Sequence, residues 1–335
     1  MKRYLFIDYA TQGYVAVVGA LVLCFHNQTV PGWRLLLVAH GLCLLLVHLL
    51  VQAHARWPSS RAIDFLRHYY AVLLYPGFYR ETGLLNRMFF ADYLDAHFIW
   101  LDERIFGFQP CLEFMYWWPQ LPVSEMFYAA YFSYYVMIVG IGLTLYLRDR
   151  RQFFHYVSVI SFVFYVCYLI YICLPVMGPR AFFREIDGFR LPDEIQAYAG
   201  SPFYPDAVRV GPFFHVMAWI YRHFEGPGAA FPSSHVAVAL STLWFSFLYV
   251  RRIRCLHLAD VILLCLATIY CRYHYAVDVA AGALTGAILT SLGNRLYHRF
   301  SAEGATATAK TPASDGTPPS AGSETPRRRT ESGRS

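Results

Sequence analysis

The sequence predicts an all-α, multi-pass transmembrane helical bundle, and two observations carry this prediction. Of the 335 residues, 57% are hydrophobic and only 15% are charged, a composition too apolar for an ordinary water-soluble domain. The apolar residues are also grouped into runs about long enough to cross a hydrocarbon core of roughly 30 Å. Seven such runs lie near residues 12–26, 33–53, 126–147, 153–175, 236–250, 257–271 and 276–293.

A shorter apolar stretch, Phe65–Phe78, is interrupted by Arg67, His68, Pro76 and Gly77. It predicts an eighth, broken crossing, so the bundle has about seven or eight crossings. No small-residue cleavage site follows the first apolar run, which is therefore interpreted as a retained span and not as a signal peptide.

Basic clusters at the ends of the runs predict the orientation of the chain, because loops rich in Lys and Arg stay on the cytoplasmic side. The two clearest clusters are Arg148–Arg151 and Arg251–Arg254. Placing both inside puts the loop over 172–231 and the segment over 272–278 on the outer face. If the chain also begins inside, the number of crossings is even and Phe65–Phe78 is a true crossing.

Two regions between the apolar runs differ from the bundle in composition. The aromatic and charged region over 53–122 is typical of interfacial helices that lie on the membrane surface. The region over 175–231 is rich in Pro, Gly, Arg and acidic residues, and loops of this length are usually functional. After Ser301 almost no large apolar residue occurs, so residues 301–335 are predicted to be a disordered tail.

The net charge and the cysteine spacing limit the kinds of partner and cofactor that the chain is expected to bind. The formal charge of +6 sits in loops and in the tail, where it indicates topology and contact with anionic headgroups. No groove-reading motif is visible, so nucleic acid is not an expected partner. None of the eight cysteines forms a C-x-x-C pair, and small buried hydrophobes are their best interpretation. The sequence indicates no oligomeric state.

Three polar segments lie at ends of apolar runs on the same predicted side of the membrane. They are Leu174–Ala181, Ala230–Val236 and Tyr270–Val279. In the second, Pro232 suits the first turn of the helix that begins the next span. Their joint occurrence at one face is what favours a functional site, since each alone arises easily by chance.

The residue types in these segments suit phosphate chemistry. His274 and Asp278 are four apart, so on a helix the carboxylate can orient the imidazole, as an oriented nucleophile or base requires. Ser233 and His235 fall in a predicted first helical turn, where backbone N–H groups favour an anion. Arg180 adds a permanently charged, planar donor for phosphate oxygens. The alternative for each is a hydrogen-bonded surface residue or a headgroup contact.

The sequence resembles the type 2 phosphatidic acid phosphatase superfamily, whose pattern is K-x6-R-P, then P-S-G-H, then S-R-x5-H-x3-D. Pro232-Ser233-Ser234-His235 is similar to the second element, with Ser234 where Gly is usual, and His274-x3-Asp278 is similar to the end of the third. Within the superfamily the chain looks most like the inositol phosphorylceramide synthase branch, through Phe231–His235 and His274-Tyr275-x-x-Asp278. A weaker likeness extends upstream through Leu101–Pro110 and Ser124–Tyr135.

The resemblance implies a metal-independent enzyme without a cofactor. His274 attacks phosphorus and forms a phosphohistidine, Asp278 orients the ring, and His235 protonates the leaving oxygen. Arg180, Ser233 and neighbouring donors, including Ser234, hold the phosphoryl oxygens. Water or a second alcohol or polyol then takes the phosphoryl group from the membrane lipid substrate. The implied domains are N-terminal transmembrane and interfacial helices over 1–121, a catalytic domain over 122–300 and the tail.

The chain departs from the family pattern at its basic positions. Cys173 stands at the family's Lys position, and Pro179 precedes Arg180 where the family's Pro follows the Arg. Ala267 and Thr268 stand where the family has Ser-Arg. Arg272, one turn after Thr268, is a candidate to supply the missing charge, and a headgroup-binding or snorkelling role is its alternative.

Two other interpretations stay open at the level of the sequence. A catalytically silent lipid carrier or transporter can keep the fold and use the same pocket for headgroups, and the missing basic residues favour it. Retention of both histidines and the aspartate favours an enzyme. His215 and His223, with Glu225 nearby, are candidate metal ligands, but their spacing matches no standard site.

Overall fold

The computed structural model describes residues 4–183, 203–224 and 226–309, with side chains through Phe300. Among these residues there is no β-strand, and one isolated parallel bridge joins Val176 and Ala229. The helices are α1 (Phe6–Phe25), α2 (Trp33–Arg56), α3 (Arg61–Leu85), α4 (Asp95–Phe106), α5 (Pro110–Trp117), α6 (Leu121–Arg148), α7 (Arg150–Cys173), α8 (Pro179–Phe182), α9 (Asp206–Arg209), α10 (Pro212–Phe224), α11 (Ser234–Tyr249), α12 (Arg254–Tyr270) and α13 (Ala276–Ala309). The predicted all-α fold is confirmed.

Five helices of the described chain are long and apolar enough to cross a bilayer: α1, α2, α6, α7 and the Ala276–Phe300 part of α13. α11 is apolar but shorter, at 16 residues. Each of the seven apolar runs seen in the sequence falls largely on one helix, and every one of these helices extends beyond its run at one end or, in α6, at both. The extra turns carry charged or aromatic residues, which a hydropathy pattern cannot assign to a helix.

α7 is the central helix of the bundle. Candidate spans elsewhere bury about half of their length or less, whereas 72% of the α7 span is buried. Around it pack α1, α3, α6, α11 and α13. The main core is rich in aromatic side chains, and Tyr165 of α7 contacts Tyr14 of α1 and Tyr75 and Phe78 of α3. Large rings bury much apolar area each, which holds the helices together at close spacing.

The stretch Phe65–Phe78 lies within the continuous helix α3, which packs against α7. Its Arg67 is buried and donates to Asp8 of α1 at 2.6 Å, and Tyr70 donates to the same carboxylate at 2.8 Å. Pairing of this kind is how a bundle accommodates a charge among apolar helices. α3 therefore packs into the bundle along the stretch where the sequence predicts an eighth crossing, and its buried Arg67 is paired there.

The remaining irregular regions are partly helical. α10, with 13 residues, lies in the region that the sequence marks as a loop, and α8 and α9 are single turns. Residues 184–202 and 225 of that region lie outside the described residues. The backbone of α13 continues to Ala309, past Ser301, where the sequence places the start of the tail. The prediction of a disordered tail falls outside the described residues from 310 onward.

Candidate active site

His274 lies in the turn that joins α12 to α13, two residues before the first residue of α13. The backbone N–H groups of Tyr273 and His274 both donate to the Thr268 carbonyl at 3.1 Å. Arg272 adopts a left-handed conformation with φ 63°, which is uncommon for a residue with a side chain. This turn directs the His274 ring into the protein, where only 3% of the residue is exposed.

Asp278 is fully buried beside His274. Its Oδ2 lies 3.5 Å from His274 Nδ1 and accepts a hydrogen bond from the Tyr275 N–H at 2.9 Å. The carboxylate thus caps the first turn of α13 and faces one ring nitrogen of His274. A proton on Nδ1, directed at this carboxylate, leaves the lone pair on Nε2, which has to leave the Ala230 carbonyl before it can attack a substrate.

Burial lowers the pKa of His274 to about 4, and a hydrogen bond with the Ala230 carbonyl offsets part of this effect. The ring is therefore neutral at pH 7, and it stays neutral well below pH 6.5, where an ordinary histidine is already half protonated. A neutral imidazole keeps the lone pair that a nucleophile needs.

His235 lies across from His274, in the first turn of α11. The two ring centroids are 5.7 Å apart and the rings are inclined by 62°. Ser233 caps α11, with its Oγ accepting from the Val236 N–H at 3.4 Å. Because Ser233 is the N-cap, α11 begins at Ser234 and Pro232 lies before the helix. The expectation that Pro232 lies in the first helical turn is therefore wrong.

The two histidine segments are joined directly. The Ser233 N–H donates to the Asp278 carbonyl at 3.1 Å. Farther along α13, a Cβ at Gly282 would lie 2.5 Å from the Ser233 carbonyl oxygen. α11 and α13 therefore approach at backbone contact, and the absence of a side chain at Gly282 sets the separation of His235 from His274.

The third polar segment also reaches this site. The Ala230 N–H donates to the Val176 carbonyl at 2.9 Å, and Gly178, with φ 84°, packs so closely that a Cβ there would lie 2.8 Å from the Tyr273 carbonyl. Arg180 follows in α8, with its guanidinium carbon 4.3 Å from the centroid of the Tyr221 ring. The structure thus brings all three segments to one end of the bundle.

A sequence model described as the PAP2 superfamily matches residues 97–292, more than half of the chain. The chain belongs to the PAP2 superfamily. Members of this superfamily are phosphatases and phosphotransferases, and together with the apolar helices the family identifies an integral membrane protein. The search of curated proteins and the search of solved structures each found no match.

The phosphate-binding residues predicted from the PAP2 pattern differ in their surroundings. Arg180 stacks on Tyr221 and Tyr273 at the edge of the site. Ser233 and Ser234 are buried in the α11 cap. The Ser234 N–H donates to the Tyr171 hydroxyl at 3.1 Å, so together with the Ser233 and Val236 N–H groups three amides of this cap already have protein acceptors.

Arg272 is placed differently from the other candidates. Its guanidinium donates to the Leu112 carbonyl at 2.9 Å and to the Phe203 carbonyl, and it lies over the rings of Tyr116 and Phe203. These contacts hold the PAP2 histidine turn against α5. The guanidinium is thus engaged with protein carbonyls, and phosphate contact would require it to exchange those hydrogen bonds.

Several tyrosines around the site were not predicted as site residues. Tyr171, near the C-terminal end of α7, donates to the Pro232 carbonyl at 3.0 Å while accepting from the Ser234 N–H. The rings of Tyr131 and Tyr134 lie 5.0 and 4.5 Å from that of His235, and the Tyr131 and Tyr221 hydroxyls are hydrogen-bonded. Tyr171 lies near the end of α7, but Tyr131 and Tyr134 lie in the interior of α6, so no shared position in the sequence marks these tyrosines.

Two carboxylates of α4 were also missed. Asp95 and Asp102 are fully buried, although α4 lies far from the PAP2 motifs in sequence. Asp95 accepts from Met177 N–H, Gly178 N–H and the Tyr275 hydroxyl, and Asp102 accepts from two amides of α13. Burial raises the pKa of both carboxyl groups, and these hydrogen bonds lower it in part.

Two open cavities of the described residues lie away from the histidines. One, of about 360 Å³, is lined by Arg148, Arg251 and Arg252 at the opposite end of the bundle. Another, of about 540 Å³, lies between α2 and α3 near Arg87. Neither of these two cavities is lined by a histidine. Within the described residues no group of three or more His, Cys, Asp or Glu side chains is arranged to hold a metal ion.

Proposed function

We propose that this protein is a lipid phosphatase or phosphotransferase that acts on a lipid-linked phosphate or phosphodiester through a phosphohistidine on His274. The observation that carries the proposal is the pair of facing histidines, 5.7 Å apart, with a buried carboxylate beside one of them. A site that only binds anions needs positive charge more than it needs a nucleophile, its orienting acid and a proton donor.

The reaction has two steps in this proposal. In the first, His274 Nε2 attacks phosphorus, the bond from phosphorus to the leaving oxygen breaks, and His235 gives that oxygen a proton. Asp278 stabilises the charge that develops on the His274 ring. In the second, water or an alcohol attacks the phosphohistidine and His235 takes its proton. Hydrolysis or transfer then depends on which acceptor enters.

Phosphoryl binding falls to Arg180, with the side-chain hydroxyls of Ser233 and Ser234 as further donors, since the backbone amides of these serines already have protein acceptors. Arg272 serves in this proposal chiefly to hold the turn, because its contacts are with carbonyl groups. The family's Lys and Ser-Arg positions are Cys173, Ala267 and Thr268, and the Thr268 carbonyl accepts the His274 N–H. The site is therefore poorer in positive charge than the PAP2 pattern.

This reduced charge favours headgroup transfer of the inositol phosphorylceramide synthase type over hydrolysis of a phosphatidate. A phosphodiester carries one negative charge less than a phosphomonoester, so it needs fewer cations to bind. The motifs Phe231–His235 and His274–Asp278 support the same branch. In this proposal the acceptor is an alcohol or polyol, and the site opens at the non-cytoplasmic face.

The test is turnover of a lipid panel by purified protein in mixed micelles with EDTA present. The panel contains a phosphatidate, a polyprenyl phosphate, an inositol phospholipid with ceramide, and a sphingolipid phosphate. His274→Ala is expected to lose at least about 10³-fold in turnover, because it lacks the nucleophile. His215→Ala, an exposed histidine of α10, is the matched control and is expected to retain wild-type activity.

Vanadate supplies an independent readout, since it mimics pentacoordinate phosphorus. Inhibition by vanadate and 32P labelling of wild type but not of His274→Ala support the histidine mechanism. A folded wild type that binds lipid headgroups but turns over no lipid in the panel contradicts the proposal. That result favours the silent lipid carrier, which the missing basic residues at 173 and 268 also fit.

A further inference from the structure

The start of α13 is held by a carboxylate from another helix. Asp102 of α4 accepts the Ala276 N–H at 2.8 Å and the Val277 N–H at 3.0 Å. The first N–H groups of a helix have no partner within it, and a nearby Ser, Asp or Asn usually accepts from them. Here the acceptor comes from a residue 174 positions earlier, so it fixes α13 relative to α4.

Asp95, two turns earlier on α4, makes the matching connection to the neighbouring loop. It accepts the Met177 N–H at 2.8 Å, the Gly178 N–H at 2.9 Å and the Tyr275 hydroxyl at 2.9 Å. One carboxylate therefore joins the loop before Arg180 to the residue that follows His274.

His274 is bracketed by these contacts. It lies one residue before Tyr275, whose hydroxyl binds Asp95, and two before Ala276, whose amide binds Asp102. Both aspartates are 0% exposed, and the hydrogen bonds given above join them to groups on either side of the His274 ring. The Ala276 and Val277 N–H groups occupy both oxygens of Asp102, and its negative charge also acts on Asp278 in the first turn of α13.

We propose that Asp102, together with Asp95, is a positioning residue of the reaction: its carboxylate sets where α13 begins and so aligns His274 and Asp278 with His235. The inference rests on the proposed function, since it needs a reaction at His274. Its physical basis is the sensitivity of catalysis to geometry, because a displacement of about 1 Å can cost about 10²-fold in rate.

A purely stabilising role is the competing interpretation, and it predicts different kinetics. Loss of a buried acceptor destabilises the fold and lowers the fraction of active protein, which reduces apparent kcat without changing KM or the vanadate Ki. Misplacement of His274 weakens binding of the transition state in every molecule. It therefore raises the vanadate Ki in parallel with the fall in kcat, while KM changes little.

The experiment compares wild type with Asp102→Asn and Asp102→Glu in the lipid assay above. Asn presents an N–H group where an acceptor is needed, and Glu keeps the charge but moves the oxygens. We expect kcat to fall about 10- to 100-fold in both variants, with KM within about threefold and a raised vanadate Ki. Asp8→Asn is the matched control, because Asp8 is equally buried but lies in α1 and binds Arg67.

Tyr275→Phe gives a second, milder variant in case the Asp102 variants do not fold. It removes the hydrogen bond to Asp95 and leaves the ring in place, and a smaller fall in kcat with a raised vanadate Ki is expected. Folded variants with wild-type kcat and vanadate Ki overturn the inference and leave the proposed function standing. Absence of His274-dependent turnover in wild type instead overturns the function itself.

Discussion

At the scale of single residues, the site depends on how two side chains four positions apart come to face each other. The sequence argument placed His274 and Asp278 on one helix face, but only Asp278 is helical. The two meet because Asp278 reaches back to the Tyr275 N–H and caps α13. Their 3.5 Å approach is therefore a property of a helix cap, and the spacing alone does not account for it.

The low pKa of His274 predicts the acid limb of the pH profile. Burial lowers this pKa to about 4, and protonation of the ring removes the lone pair that attacks phosphorus. Activity is thus expected to persist at pH 6 and to fall about tenfold per pH unit below the pKa. The measurement is kcat/KM from pH 3.5 to 7.5.

Tryptophan fluorescence over the same pH range separates loss of activity from acid unfolding. The opposite result, an acid limb centred at or above the ordinary histidine pKa near 6.5, shows a nucleophile that is solvated or more strongly paired with Asp278 than the geometry indicates.

At the scale of secondary-structure elements, the contact between α11 and α13 sets the distance between the histidines. Gly282 and Gly286 are four apart on α13, and a Cβ at Gly286 would lie 2.7 Å from the Ala237 carbonyl oxygen. Small residues spaced by four let transmembrane helices approach at backbone contact. Here the approach also places the α11 cap on the Asp278 carbonyl.

Gly282→Ala is accordingly expected to push α11 away from α13. The added methyl meets the Ser233 carbonyl oxygen at 2.5 Å, so we expect the free energy of unfolding to fall by about 1–3 kcal/mol. We also expect the lipid turnover rate to fall by a larger factor than the amount of folded protein does. Thermal unfolding in detergent and the lipid assay measure the two effects. Gly140→Ala on α6 is the control, because a Cβ there meets nothing within 4 Å. Equal behaviour of the two variants contradicts this role for Gly282.

At the scale of the whole molecule, the polar site and the basic clusters lie at opposite ends of the bundle. At the site end, the Leu94 N–H donates to the Pro175 carbonyl and Asn86 donates to the Pro227 carbonyl. At the other end, Arg150 stacks on Tyr146, and Arg148 lines one groove with Arg251 and Arg252. The basic end is the one that the positive-inside rule assigns to the cytoplasm.

Cysteine accessibility tests this orientation. Among the described residues the exposed cysteines are Cys24 and Cys255, and Cys255 lies at the basic end, in the first turn of α12. In a Cys24→Ser background, a membrane-impermeant maleimide is expected to label Cys255 only after the cells are permeabilised. Gln28→Cys, in the loop at the site end, with Cys255→Ser added, is expected to react in intact cells. The reverse pattern places the site at the cytoplasmic face.

The sequence by itself determined the helical class, the positions of the apolar helices, the superfamily and the two histidine segments. These features depend on composition and on short spacings, which local physics fixes. It predicted an interrupted crossing over Phe65–Phe78 but did not show what holds that segment in the bundle, because the pairing of Arg67 with Asp8 joins residues 59 positions apart.

Only the tertiary structure decided which residues surround the histidines. Tyr171, Asp95 and Asp102 carry no motif, and each acts on a segment that lies far from it in the chain. Arg272 shows the converse, since its one-turn spacing from Thr268 suggested phosphate binding while its contacts are with Leu112 and Phe203 carbonyls. Where a buried polar side chain points depends on which unsatisfied backbone groups the folded chain brings to it, and no local pattern in the sequence contains that information.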